Sequence, residues 1–193
     1  TDLPADPEDF LMQSAVVDLN GDRLPEVLLI GSGFVYRLWN LGELQFGAPE
    51  QLVSLFDTTT KNGRSVSFGD ADGDGDVDIA FATVEPDGVV IRRNDGSGSF
   101  GMVEHIATGR LANALAPADL DGDGDQDVLS ASYADNKIAW YENLGGQGTF
   151  GPQQVITTAA AGAFSVFATD IDGDGDVDFT DLVRLLSDWG SCP

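Results

Sequence analysis

The chain has 193 residues, 42% hydrophobic and 22% charged, with a formal net charge of −24. That length holds one sizeable core or an array of small units, and 9 Lys and Arg leave no basic patch to neutralise phosphates, which excludes nucleic acid as a partner. A single cysteine, Cys192, excludes an internal disulfide framework or a multi-cysteine zinc site, and no run of about 20 apolar residues offers a membrane-spanning helix.

Residues 1–10 (TDLPADPEDF) are rich in Pro and Asp and read as a lead-in or linker. A repeated unit of about 50 residues then begins. In the first copy, short alternating runs at 13–17, 26–30, 35–39 and 50–54 predict four strands, and Asp18, Asn20, Asp22, Leu24 and Glu26 occupy the connection between the first two. The second copy predicts strands at 65–68, 78–83, 89–93 and 103–108, with Asp70, Asp72, Asp74, Asp76 and Asp78 in the matching connection. The third predicts strands at 115–118, 127–132, 137–143 and 153–158, with Asp119, Asp121, Asp123, Asp125 and Asp127. Turn-forming clusters such as Ala134-Asp135-Asn136 and Gly145-Gly146-Gln147-Gly148 separate the strands.

A second landmark keeps step with the acidic loops: Asn40 then Phe46-Gly47, Asn94 then Phe100-Gly101, Asn143 then Phe150-Gly151. Four strands per repeat of this length is the arithmetic of a β-propeller blade. The expected fold is all-β: three blades of four antiparallel strands, at 11–60, 61–110 and 111–160, then the first strand of a fourth at 161–169. The fourth copy opens with that strand at 164–169 and the loop Asp170, Asp172, Asp174, Asp176 and Asp178, and then departs from the pattern. Apolar residues at 179, 182, 183, 186 and 189 follow a 3.6-residue period up to Gly190, which predicts a helix. Residues 170–193 are therefore expected to form a separate loop–helix unit.

The four loops carry 19 of the 33 acidic residues, counting Asp181, which leaves 14 against the 9 basic ones. The acidity is local, and carboxylates this close repel one another unless a cation lies among them. Oxygen ligands at positions 1, 3, 5 and 9, a backbone carbonyl at 7 and glycine at 6 suit calcium, which takes six to eight hard oxygens in flexible geometry. Three to four calcium ions are expected. In the first loop Arg23 replaces the turn glycine and predicts a weaker site, or one filled by the arginine itself. In the fourth, position 12 is Asp181, where the other copies have Leu29, Phe81 and Ser130. An acid at that position followed by a helix is the EF-hand pattern.

With Asp-x-Asp-Gly-Asp-Gly-x-x-Asp followed in register by Asn and Phe-Gly, residues 11–169 resemble FG-GAP/VCBS repeats, the calcium-loop blades of integrin-α-like propellers and of many secreted bacterial proteins. The resemblance implies that each calcium loop joins the first and second strands of its blade. Residues 170–190 are similar to one calcium-binding half of a dockerin type I module.

Phe46, Phe100, Phe150, Trp39, Trp140 and Tyr141 recur at fixed places in the repeat and are expected to pack between blades. The lone histidine, His105, offers no triad, and four similar acidic loops are a poor source of the one unusual environment that acid–base catalysis needs. No enzymatic activity is expected. A ligand would meet the end opposite the calcium loops, where Arg64, Arg110, Asn113 and Tyr133 are the candidate side chains. The function read from these features is a calcium-stabilised binding or adhesion scaffold for an extracellular protein or carbohydrate. The rival reading is the non-catalytic C-terminal part of an extracellular polysaccharide-degrading or other hydrolytic enzyme. The chain starts at Thr1 without a signal pattern. It is thus expected to be a piece of a secreted or cell-surface protein, its propeller completed by upstream blades or by self-association.

Overall fold

The computed structural model describes residues 11–31, 34–54, 65–84, 87–107, 110–171, 173–178 and 181. Among the described residues twelve strands form three separate four-stranded sheets, each running in chain order with antiparallel neighbours. The first contains β1 (Leu11–Val17), β2 (Glu26–Gly31), β3 (Phe34–Leu38) and β4 (Glu50–Ser54). The second contains β5 (Ser65–Gly69), β6 (Asp78–Val84), β7 (Asp87–Asn94) and β8 (Phe100–Ala107). The third contains β9 (Ala112–Ala118), β10 (Asp127–Ser132), β11 (Lys137–Tyr141) and β12 (Gln154–Thr157).

The register explains why both landmarks recur. Val17 pairs with Glu26, Gly69 with Asp78 and Ala118 with Asp127, so a ladder pair closes the base of each acidic loop. At the same end of each sheet, Asn40 pairs with Phe46, Asn94 with Phe100 and Asn143 with Phe150. The Asn-to-Phe spacing is therefore the signature of a bridged turn between the third and fourth strands.

Alternation of side chains along a strand sends one row to each face of a sheet, and both faces of the middle sheet are apolar. Leu28, Ile30 and Val35 of the first sheet meet Val66, Ile79, Phe81 and Val90 of the second in one core. Val89, Ile91 and Ile106 meet Leu115, Val128 and Tyr141 of the third sheet in another. A smaller core of Leu120, Leu129 and Trp140 lies beyond the third sheet, packed by Val166, Ala168 and Val177. Leu28, Phe81 and Leu129 have no exposed surface, and trimming such a side chain to alanine costs roughly 2–5 kcal/mol.

Phe100 and Phe150 pack against the first and second of these cores, as expected, whereas Phe46 is 44% exposed. Phe100 and Phe150 each face the preceding blade, and no blade precedes the first among the described residues. The expected strand at 164–169 enters no sheet. A strand is held by its ladder partner, and no second strand follows the fourth loop among the described residues. The segment instead lays Val166 and Ala168 on the third core and leaves Phe164 and Phe167 exposed. The expected helix at 179–190 lies outside the described residues apart from Asp181, as do the lead-in 1–10 and Arg64.

Candidate metal centres

Each acidic loop is folded by its own carboxylates. In the second loop Asp70 Oδ1 accepts the N–H of Gly73 at 2.7 Å, and Oδ2 accepts that of Gly75 at 2.9 Å. Asp119 accepts from Gly122 and Gly124 at 2.8 and 2.9 Å, and Asp170 from Gly173 and Gly175 at 2.6 and 3.0 Å. Asp18 does the same with Gly21 and Arg23, both at 2.8 Å. The acid at position 5 then accepts the N–H at position 7, as Asp22 does from Leu24 at 2.7 Å, Asp74 from Asp76 at 2.9 Å, Asp123 from Asp125 at 2.9 Å and Asp174 from Asp176 at 3.0 Å.

Position 6 takes a left-handed backbone in every copy: Gly75, Gly124 and Gly175 have φ of 92°, 96° and 103°. Arg23 adopts φ 68° in the first loop, so the turn survives without glycine at a conformational cost. Among the described residues Arg23 forms no ion pair.

The acid at position 9 is the buried one. Asp78 and Asp127 are 2% and 1% exposed, and Glu26 is fully buried. Asp78 Oδ2 accepts the N–H of Ala71 at 2.9 Å and its Oδ1 that of Asn94 at 2.8 Å. Asp127 repeats both bonds with Leu120 at 3.0 Å and Asn143 at 2.8 Å. Glu26 Oε2 accepts the N–H of Leu19 at 2.9 Å, but its Oε1 is buried with no hydrogen-bond partner. In the fourth loop Asp181 takes this place: it is 4% exposed and accepts the N–H of Ile171 at 2.6 Å and of Asp178 at 3.0 Å.

Two carboxylate clusters result. Asp70, Asp72 and Asp78 each offer an oxygen within 4.8 Å of the others, and so do Asp119, Asp121 and Asp127. Positions 1, 3 and 9 thus converge, whereas Asp74, Asp76, Asp123 and Asp125 fall outside the two triplets. Asp18, Asp22 and Glu26 form no such triplet among the described residues. Asp172 lies outside the described residues.

The electrostatics mark both triplets as short of positive charge. Burial, against the pull of two backbone hydrogen bonds, pushes Asp78 up to about 6, and the charges of Asp72 and Asp74 add to the effect. Asp127 rises to about 6 for the same reason, helped by Asp121 and Asp123. Burial also raises Asp72 and Asp121. Asp72 Oδ1 is buried with no hydrogen-bond partner. An unpaired buried oxygen among three convergent carboxylates fits a hard divalent cation, and both triplets can hold a metal ion.

Two features of the site escape a reading of the sequence alone. The side-chain amide of Asn94 donates to the Leu19 carbonyl in the preceding blade at 2.8 Å and to Val77 in its own at 3.1 Å. Asn143 does the same with Ala71 at 2.9 Å and Gln126 at 3.1 Å. Arg37 and Arg93 bond forward to carbonyls of the next blade, at Gly98 and Gln147, 2.6 and 2.7 Å away. The fixed phase between loop and asparagine was the available signal; the partners lie 54 to 75 residues away.

Three overlapping segments, 18–81, 72–130 and 119–179, match the FG-GAP-like repeat model. The chain belongs to the FG-GAP-like repeat family. Each match runs from one acidic loop through the next, taking the last three strands of one sheet and the first strand of the sheet after it, and the third runs on through the fourth loop. No curated protein matches the sequence. The fold is similar to that of an Agrocybe aegerita lectin solved to explain its specific recognition of non-reducing terminal N-acetylglucosamine, with a TM-score of 0.56 and 20% identity. The match covers 86% of this chain and 45% of the lectin, so these FG-GAP-like repeats span less than half of that protein's length.

At the end of the sheets opposite the loops, the connections are tied to one another. Arg110 N–H donates to Asp135 at 2.7 Å, Leu111 N–H to Asp87 at 3.0 Å, and Tyr133 N–H to the Leu111 carbonyl at 3.0 Å. Arg110 and Tyr133 are exposed there. No helix among the described residues is long and apolar enough to cross a membrane.

Proposed function

We propose that this chain is a calcium-stabilised propeller segment that presents a carbohydrate-binding surface outside the cell. The observation that carries the calcium reading is the pair of convergent aspartate triplets at the bases of the second and third loops. Calcium supplies two positive charges to carboxylates that otherwise repel. Asp70, Asp72, Asp74, Asp78 and the Asp76 carbonyl would hold one ion; Asp119, Asp121, Asp123, Asp127 and the Asp125 carbonyl would hold the second. Asp18, Asn20, Asp22, Glu26 and the Leu24 carbonyl form a weaker third set. In the fourth loop, Asp170, Asp172, Asp174, Asp176, Asp178 and Asp181 supply a further one.

A metal bound only by the native state stabilises it by mass action, by about 2.7 kcal/mol per site at 100 times Kd. The carbohydrate reading is supported by the likeness to the lectin fold and by the exposed Arg110 and Tyr133. A guanidinium donor fork and an aromatic face are the groups that hold sugar hydroxyls and sugar rings.

Thermal melts of metal-stripped protein, with and without calcium, test the first claim: a melting temperature that calcium leaves unchanged refutes it. A glycan array including N-acetylglucosamine-terminated glycans tests the second, with loss of binding expected in the Arg110→Ala and Tyr133→Ala variants. Absence of binding to any glycan would remove the carbohydrate claim and leave the calcium claim standing.

A further inference from the structure

The second and third loops are joined through the interface between their blades. Asp78 accepts the N–H of Ala71, and the Ala71 carbonyl accepts the side-chain amide of Asn143 at 2.9 Å. Asn143 in turn donates its backbone N–H to Asp127 at 2.8 Å. Two buried acids, one from each triplet, are thus connected through two intervening residues. Asp78, Asp127 and Asn143 are all between 1% and 2% exposed. A second tie runs beside the first: Arg93 lies 3.5 Å from Asp72 and donates to the Gln147 carbonyl at 2.7 Å, while Gly148 N–H donates to Asn143 Oδ1 at 3.0 Å.

We propose that the second and third loops bind calcium cooperatively, with Asn143 as the positioning residue that couples them. The inference rests on the calcium reading of these loops. The bistable element is the junction between the second and third blades. When it is closed, Asn143 is seated against Ala71 and both buried acids are aimed into their triplets. When it is open, Asn143 and the two acids are solvated and the triplets are spread. Each ion binds the closed form alone, so the first to arrive closes the junction and the second finds it closed. Coupling of this kind is reciprocal and of the order of 5- to 150-fold in affinity. A structural strut would stabilise the interface without linking the two affinities.

The test is isothermal titration of the metal-stripped full chain with calcium alone, comparing the wild type with Asp121→Asn. Asp121 is exposed and the amide is isosteric, so the variant weakens the third loop without disturbing the core. The expected result is a roughly fivefold or larger loss of affinity at the second loop. In the Asn143→Ala background, Asp121→Asn is expected to leave the second loop unaffected. Equal affinity at the second loop in wild type and Asp121→Asn overturns the coupling and leaves the calcium reading intact. An undiminished loss in the Asn143→Ala background overturns the role of Asn143. Failure of both loops to bind calcium overturns the coupling together with the reading on which it rests.

Discussion

Arg37 of the first blade donates to the carbonyl of Gly98 in the second at 2.6 Å, and the guanidinium lies 3.6 Å above the Trp39 ring centroid. The same group pairs with Glu50 at 3.0 Å, and Arg37 as a whole is only 5% exposed. Truncation removes the packing on Trp39 and leaves the buried Gly98 carbonyl without its donor. Arg37→Ala is expected to destabilise the chain by about 1–3 kcal/mol, because it orphans the buried Gly98 carbonyl, while Glu50 is exposed enough to be solvated. The midpoint of urea unfolding should fall accordingly, and Arg37→Lys should recover little, since a point charge cannot stack and fork together.

The two repeat asparagines that face a preceding blade should matter more than the one that does not. Asn143 is buried and bonds to Ala71 and Gln126, whereas Asn40 makes an exposed bond to its own Pro25 carbonyl at 3.1 Å. Asn143→Ala should cost about 2–3 kcal/mol, because it orphans buried carbonyls, and Asn40→Ala below about 1 kcal/mol. Equal losses in denaturant unfolding would contradict the assignment of direction along the blades.

The pH dependence should reverse with metal. Without metal, Asp78 and Asp127 carry folded-state values near 6 against an ordinary 3.8. The native state then binds more protons than the unfolded chain. Their contribution is fully present below about pH 4 and is lost as pH rises through about 6. Calcium requires both carboxylates ionised, so its affinity should climb over the same interval. Melting temperatures between pH 4 and pH 8, in chelator and in calcium, should show opposite slopes from these two groups.

The sixth position of the loops offers a paired test. Gly75 and Gly124 have open space where a Cβ would lie, so Gly→Ala there is opposed by φ alone. A loss of about 1–2 kcal/mol is expected for each. Arg23→Gly in the first loop should do the reverse: it relieves a left-handed arginine and removes a positive charge beside Asp18, Asp22 and Glu26. Calorimetry should find a gain of up to about 1 kcal/mol in stability and tighter calcium binding at that loop.

The blades were legible because their signals are local. Alternating residues bounded by turn formers mark the strands, and acids at odd positions with a glycine at the sixth mark the loops. The 164–169 segment shows the limit of such signals. Its pattern suits a strand, yet strand pairing depends on a partner segment, and the residues after Asp178 carry a helical period instead. Asn94 and Asn143 could be seen to recur, but their roles could not be read, because one side-chain amide serves a carbonyl more than 70 residues earlier in the chain.

The sequence by itself determined an all-β chain of repeats with acidic loops of calcium-binding spacing, since spacing within nine residues dictates which oxygens can converge. Only the tertiary structure decided which acid of each loop is buried and that Asn and Arg side chains bond across the blade boundaries. Those outcomes depend on what one blade places against the next, and such contacts come from packing between segments about 50 residues apart, which no local pattern encodes.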